Sequence, residues 1–145
     1  MTPNSALTAV IARLTAAGLT QVRSPLGADR ASSQRISRSF SVKPQSLGPS
    51  SSPSRGRPDV AGLRVTQNFE IELCHQIKPG DGQEAPSQAL SDLHTVLKHL
   101  SVIGSTLSGE GAIIIGGASQ SYEGGGSFFV TRFTLSVTYN LSLAI

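Results

Sequence analysis

The strongest constraint on the fold is the stretch 127–143, SFFVTRFTLSVTYNLSL, in which apolar and polar side chains alternate. Successive side chains of a strand point to opposite faces of a sheet, so the pattern predicts a β-strand with one apolar face and one hydroxyl-rich face. At roughly 3.3 Å per residue it would span about 55 Å, whereas an average strand has about 5–6 residues. Such a strand projects beyond its own domain or continues a sheet through a neighbouring subunit. Its apolar positions are Phe129, Phe133, Leu135, Val137, Tyr139, Leu141 and Leu143.

Further alternating segments predict the rest of the sheet. Residues 63–77 form a second long amphipathic strand, and residues 35–42 form another, in which Arg38 interrupts the apolar face. Two short β segments are expected at 112–115 and at about 119–122. The segment Glu123-Gly124-Gly125-Gly126 is then a hairpin turn that leads into the final strand.

Two helices are predicted from apolar residues at helical spacing. The first spans residues 3–17, with Thr2 as the capping hydroxyl, proline at the first helical position and Gly18 as the stop. The second runs from about 86 to 103 and ends at Gly104. Its apolar stripe consists of Ala89, Leu90, Leu93, Val96, Leu97 and Leu100.

The order α-β-β-α-β-β-β predicts an α+β fold in a single domain of residues 1–145. A single, mostly antiparallel β-sheet would carry the two main helices on one face. Residues 19–34 are expected to be irregular.

A long basic loop rich in proline, serine and glycine is predicted within residues 43–60. Its centre, Pro44–Pro58, holds four prolines, five serines and two glycines, a composition that cannot supply a core. We therefore expect a mobile loop between two strands.

Charge is distributed unevenly along the chain. Residues 1–58 hold eight basic residues and one acidic residue, a net charge of +7, while residues 59–145 hold four basic and eight acidic residues, a net charge of −4. This asymmetry is typical of contact with nucleic acid or a charged partner, and it lets copies of one chain attract each other head to tail. A solvated basic loop is the plainer interpretation.

Composition excludes several classes of protein. Charged residues make up 14% of the chain against a usual ~25%, and the difference is filled by residues typical of sheets and loops. The single cysteine, Cys74, has no partner for an internal disulfide and is expected to be a small buried thiol, which favours assembly in a reducing cytoplasm. No run approaches the ~20 apolar residues that a membrane span needs.

The sequence predicts no enzyme, no catalytic residue, no cofactor and no metal site. His94 and His99 are five positions apart on a helix and so do not share a face. Glu70 and Glu72 share a strand face, but no feature places a substrate beside them. The glycine clusters lack the lysine and hydroxyl of a phosphate-binding loop.

The segment Arg55-Gly56-Arg57-Pro58 resembles the core of AT-hook proteins, which insert an extended arginine pair into the minor groove of DNA. Its flanks lack the further basic residues that such hooks usually carry. A loop ordered by a protein partner and a disordered segment are equally open interpretations.

The whole pattern resembles the tail-terminator proteins of long-tailed bacteriophages. The resemblance covers nearly the full chain: an opening helix (LTAVIARLTAAG), a basic strand and loop, the strand VTQNFEIELCHQI, a second helix (SQALSDLHTVLKHL) and the closing strand. It implies a six-membered ring, a homohexamer, that caps the tail tube and joins it to the head. The implied partners are copies of itself, the tail tube protein and a neck or head-closure protein, with DNA passing through the ring lumen. The implied location is the virion, after assembly in the host cytoplasm, without membrane contact.

Two alternatives stay open, namely a head-closure or connector protein of the same particle and a small DNA-binding module that uses the basic first half. For the ring, we expect subunit or partner contacts from basic side chains, and reversing the charges at Arg35 and Arg38 is expected to block ring formation while leaving the fold intact. The candidate interface residues are Arg35, Arg38, Lys43, Arg55, Arg57 and Arg132.

Overall fold

The computed structural model describes residues 1–22, 38–49, 62–78, 80, 83–106 and 112–142. These residues form two helices and one six-stranded sheet. The elements in chain order are α1 (Pro3–Ala16), β1 (Thr20–Gln21), β2 (Ser39–Pro49), β3 (Gly62–Gln76), α2 (Glu84–Thr106), β4 (Ala112–Ile115), β5 (Ser119–Glu123) and β6 (Phe128–Ser142). The predicted α+β class with a single, mostly antiparallel sheet is confirmed.

Helix α1 begins and ends where its sequence signals predict. The Thr2 hydroxyl accepts a hydrogen bond from the Ser5 amide at 3.1 Å, and the Ser5 hydroxyl accepts one from the Thr2 amide at 2.9 Å. This reciprocal pair satisfies two amide donors that the first turn leaves free. Gly18 follows the helix with φ at 93°, a backbone conformation that favours glycine.

Helix α2 is longer than its sequence pattern predicts. It starts two residues before Pro86 and continues to Thr106, so Gly104 lies inside the helix and is not its stop. One glycine in a helix costs only about 1 kcal/mol relative to alanine, which packing of the apolar face outweighs.

The sheet is organised around two fifteen-residue strands, β3 and β6, which pair antiparallel along their whole length. The strand order is β1-β2-β3-β6-β4, and β5 also pairs with β6, on the same side as β4. Strand β1 pairs in parallel with β2, and it lies in a region that the sequence predicts to be irregular. Its two residues are too few to produce an alternating pattern.

Both helices cover the same face of the sheet, as predicted. Paired residues such as Ile71 and Phe133 share a face, and the odd-numbered side chains of β3 and β6 contact the helices there. The buried cluster contains Ala6, Val10 and Leu14 of α1, Val96, Leu100 and Ile103 of α2, and Val65, Phe69, Ile71, Leu73, Phe133, Leu135, Val137 and Tyr139 of the sheet. We call the opposite face, formed by the even-numbered residues of these two strands, the polar face.

One member of the predicted α2 stripe is misplaced. Leu90 is 56% exposed, whereas Ala89 and Leu100 are fully buried. The positions of α2 that are buried follow the series 85, 89, 92, 96, 100 and 103, and Leu90 falls one residue off this line. The sequence alone did not distinguish between two adjacent apolar residues.

The predicted loop begins too early. Residues 44–49 continue β2, which stays paired with β3 as far as Pro49 opposite Val65. The register shifts between Pro44 and Ser46, so Gln45 is an inserted bulge residue. Residues 50–61 lie outside the described part of the chain, and the mobile loop there stays a prediction. Residues 35–37, predicted to begin a strand, also lie outside the described residues.

Candidate functional site: a buried polar cluster, the polar face and the sheet edges

A polar cluster joins the turn before β2, the end of β3 and the middle of α2; its His75 and Asp92 are buried, whereas the side chain of Arg38 is 47% exposed. Asp92 is its centre: Oδ2 lies 2.7 Å from Nε2 of His75, and Oδ1 accepts a hydrogen bond from Nε2 of Gln88 at 3.0 Å. Arg38 donates to both carboxylate oxygens, from Nε at 3.0 Å and from Nη2 at 2.9 Å. Such a two-point contact fixes both orientation and distance.

The environment of Asp92 stabilises its ionised form. Burial acts to raise the pKa of this carboxyl, but the hydrogen bonds from Arg38, His75 and Gln88 outweigh it and hold the pKa below its ordinary value. The hydrogen bond to Asp92 also raises the pKa of the Arg38 guanidinium. Asp92 and Arg38 therefore form a charged pair at neutral pH.

Arg38 adopts an unusual backbone conformation to reach this position. Its φ is 56°, the one positive φ among the non-glycine residues that are described. A residue in this region carries strain of about 1–3 kcal/mol, which surrounding contacts must offset. The predicted strand position for Arg38 is wrong, because it forms the turn before Ser39, where β2 begins.

The sequence contains a signal for this cluster that the apolar stripes alone do not reveal. Asp92 occupies a stripe position of α2, between the buried Ala89 and Val96. His75 occupies the buried parity of β3, two residues after Leu73. A polar residue in an apolar position needs a hydrogen-bonding partner, so two such positions on neighbouring elements indicate a pair.

The contacts of the cluster hold α2, β3 and the turn before β2 together. The side chain of His75 is only 2% exposed, so a substrate in solvent has no access to the imidazole. Within the described residues no group of three or more histidine, cysteine, aspartate or glutamate side chains is arranged to hold a metal ion. An open depression of about 540 Å³ borders Gln88, lined by Gln83, Glu84, Ser87, Gln88 and Ser91.

The polar face carries a network of paired side chains. Arg132 on β6 donates from Nε to Glu72 on β3 at 2.8 Å and also forms an ion pair with Glu123 at the end of β5. The contact with Glu123, then that with Glu72, raises the pKa of Arg132. All three side chains are partly exposed, so each ion pair is worth only about 0–1 kcal/mol.

Farther along the polar face, neutral side chains link three strands. Ser136 donates to Asn68 at 2.6 Å, and Asn68 donates to Ser46 at 2.7 Å. Thr66 and Thr138 share a hydrogen bond of 3.0 Å. This face is therefore polar and internally hydrogen-bonded, as the alternating pattern predicts.

The six candidate interface residues are not gathered at one place. Arg38 lies in the buried cluster, Arg132 lies on the polar face, and Lys43 is exposed on β2 in register with Glu70. Two of the three have intramolecular acidic partners. The other three, Arg35, Arg55 and Arg57, lie outside the described residues, and their contacts stay predictions.

The expectation that charge reversal at Arg35 and Arg38 leaves the fold intact stays a prediction. The structure gives a reason to expect a loss of stability from the change at Arg38, because a second carboxylate would then lie beside the buried Asp92. The side chain of Arg38 is itself 47% exposed, and Asp92 keeps its contacts with His75 and Gln88.

The outer edge of β2 is protected against further strand pairing. Val22 donates to the carbonyl of Phe40 at 2.8 Å, so the backbone groups of Phe40 face β1 and, by alternation, those of Val42 and Pro44 also face outward. After the bulge, Pro49 is again an outward position, because Gly48 lies opposite the even-numbered Thr66. Two outward positions therefore lack an N–H, a device that blunts edge strands.

Within the described residues, the opposite edge, formed by β4 and β5, has no such protection. The amide of Gly116 donates to the carbonyl of Thr134 at 2.8 Å. By antiparallel alternation, Ile114 also directs its backbone to β6, while Ile113 and Ile115 direct theirs outward. The same alternation turns the backbone of Gln120 and Tyr122 outward. The segment 112–122 contains no proline and no charged residue.

Cys74 is buried, as expected, and lies on the polar-face parity of β3. It packs with Phe128 and Val130 in a small second apolar cluster. On the neighbouring strand β2, Ser39 is in register with Cys74, and Ser41 follows two residues later. Burial of this thiol agrees with a structural role.

Comparisons with known proteins add no family. The sequence matches no family model, and no curated protein shows significant similarity to it. Within the described residues, neither helix is long and apolar enough to cross a membrane.

Proposed function

We propose that this chain is a tail terminator of a long-tailed bacteriophage, a structural protein that forms a ring, caps the tail tube and joins it to the neck. The observation that supports this most is the order and layering of the fold. Two helices cover one face of a sheet built on two fifteen-residue strands, which is the arrangement that the resemblance implies. In this role the ring binds the tube protein on one side and a neck protein on the other, and DNA passes through its lumen.

The chemistry of the described surfaces agrees with an assembly role. The cluster around Asp92 links α2 to β3 and to the turn before β2, and side chains of the polar face hydrogen-bond to one another across strands. Contacts that hold a subunit in one shape reduce the conformational entropy lost on binding. We keep DNA recognition as a weaker alternative, because Arg38 and Arg132 already have acidic partners.

Sedimentation velocity of the full chain from dilute to millimolar solution, with negative-stain imaging, tests the proposal. A ring of six copies has a mass of about 90 kDa, six times the 15.1 kDa of one chain. We expect a species of that mass at high concentration, visible as a closed ring with a central hole. If the chain forms no closed ring at any concentration, the proposal is contradicted.

Binding to DNA gives a second readout. A DNA-binding module releases counterions from DNA, so its affinity falls steeply with salt. We expect the ring to bind free duplex DNA weakly and with little salt dependence. Tight, strongly salt-dependent binding by a monomer would favour the DNA-binding module instead.

A further inference from the structure

The β4–β5 edge has the features of a strand-accepting surface. The side chains of Ile114 and Tyr122 are 67% and 63% exposed, the highest values among the large apolar residues described. Outward backbone groups at Ile113 and Ile115 flank Ile114 and, in the described part of the chain, no strand pairs with them. Natural proteins rarely leave such an edge open, because it pairs with any extended chain.

Comparison with the other edge shows which kind of partner fits. On β2 the two outward prolines and the exposed Lys43 discourage a further strand. On β4 the sequence is Ala-Ile-Ile-Ile, followed by seven uncharged residues as far as Tyr122. From Ala112 to Tyr122 this edge carries no charged residue, so electrostatic repulsion does not oppose its pairing with the same edge of a second copy.

We propose that β4 pairs with β4 of a second copy of this chain, antiparallel and around a two-fold axis at Ile114. In that register Ile113 lies opposite Ile115 of the second copy, and the reverse pair forms on the other side of the axis. Both residues have outward backbone groups, so each pair exchanges two hydrogen bonds. The edge is self-complementary: the same short segment supplies matching donors and acceptors on both sides.

The same register brings the two Ile114 side chains together. Residues opposite each other in a pair without mutual hydrogen bonds have Cα atoms about 4.5 Å apart, close enough for side-chain contact. The most exposed isoleucine of the described chain is thereby removed from water. No like charges meet, because neither strand carries one.

The contact is small, which determines how it behaves. Strand β4 has four residues, and stable interfaces bury about 1,200–2,000 Å² in total. Pairing is therefore weak and depends on concentration. A two-fold contact also closes on itself, whereas a cyclic ring requires a head-to-tail contact. The pairing therefore adds a second contact to the chain and does not rest on the proposed function.

Sedimentation velocity on the full chain and on two matched variants tests the pairing. Ile114→Lys places a positive charge on each side of the two-fold axis. The side chain of Ile114 is exposed and its backbone pairs with β6, so the substitution leaves the pairing of β4 with β6 in place. Leu47→Lys makes the same chemical change on the protected β2 edge, where the side chain is 46% exposed. We expect at least a tenfold weaker dimer for Ile114→Lys, no change for Leu47→Lys, and native circular dichroism for both.

Hydrogen exchange provides a readout at individual amides. The amides of Ile113 and Ile115 should become protected as the concentration of the native chain rises, and those of Val42 and Leu47 should not. A chain that never dimerises, a dimer that tolerates Ile114→Lys, or equal loss in both variants would overturn the inference. An edge reserved for a strand of a different protein would give the first of these results.

The outcomes separate this inference from the proposed function. Hexameric rings that persist in Ile114→Lys, without a dimer in the native chain, would refute the β4 pairing and leave the ring proposal standing. A dimer that depends on Ile114, without any ring at high concentration, would support the β4 pairing and contradict the ring proposal.

Discussion

His75 on β3 and Asp92 on α2 form a buried hydrogen bond of 2.7 Å between Nε2 and Oδ2. Both side chains occupy positions that the surrounding pattern reserves for apolar residues. Because Asp92 also binds the guanidinium of Arg38, this one carboxylate ties together three elements that are distant in the sequence. Its removal should affect the whole fold more than any surface ion pair does.

Asp92→Ala is expected to lower the free energy of unfolding by about 1–3 kcal/mol or more, because His75 loses its partner in a buried site. Chemical denaturation followed by circular dichroism measures the change. Ser91→Ala, on the exposed side of the same helix turn, is the matched control and should stay within about 0.5 kcal/mol of the native chain. Equal effects of the two substitutions would show that the cluster adds no stability.

Asp92 should also make the stability of the folded chain fall at acidic pH. The pKa of Asp92 is lower in the folded chain than in the unfolded chain, where it is about 3.9, so the unfolded state binds more protons there. The stabilisation is therefore complete above about pH 4 and is lost as the pH falls through the folded-state pKa. Melting temperatures measured from pH 7 downward test this expectation.

Asp92→Asn is the control for the pH dependence. It keeps the shape and much of the hydrogen bonding but cannot titrate, so its melting temperature should fall less between pH 5 and pH 3 than that of the native chain. If the two curves run parallel, the acid sensitivity comes from other carboxylates.

Two leucines of α2 test which side of the helix faces the core. Leu100 is fully buried and Leu90 is 56% exposed, although both fit the apolar stripe predicted from the sequence. Leu100→Ala should cost about 2–5 kcal/mol through lost burial and the cavity left behind. Leu90→Ala should cost less than about 0.5 kcal/mol in the same denaturation experiment. The opposite ranking would mean that α2 is rotated about its axis.

Charge reversal separates the structural role of Arg38 from that of Lys43. Arg38→Glu brings a second carboxylate to the buried Asp92 and should clearly lower the melting temperature. Lys43→Glu changes the net charge by the same amount at an exposed site and should shift the melting temperature by only a degree or two. A stable Arg38→Glu variant would show that the cluster tolerates loss of its cation, and the original expectation for Arg38 would then hold.

Local patterns predicted much of the secondary structure because they depend on neighbours in the sequence. Alternation located β3 and β6 to within a residue or so, and Thr2 with Pro3 located the start of α1. The bounds of α2 and β2 were wrong, because α2 continues through Gly104 and because β2 stays paired with β3 beyond Pro44. The intrinsic secondary-structure propensity of one residue contributes less free energy than side-chain packing or strand pairing does.

The sequence by itself determined the class of the fold and the apolar and polar faces of the long strands, since both follow from the periodicity of side chains within each segment. The burial of Cys74 was expected from its residue type, because its position falls on the polar parity of β3. The tertiary structure decided that Ala89 is buried while the adjacent Leu90 is exposed, that Arg38 binds the buried Asp92, and that the two edges of the sheet differ. These depend on the register between β2, β3, β6 and β4, which no single segment specifies. Register determines which backbone groups point outward, and so only the folded sheet reveals where another strand can bind.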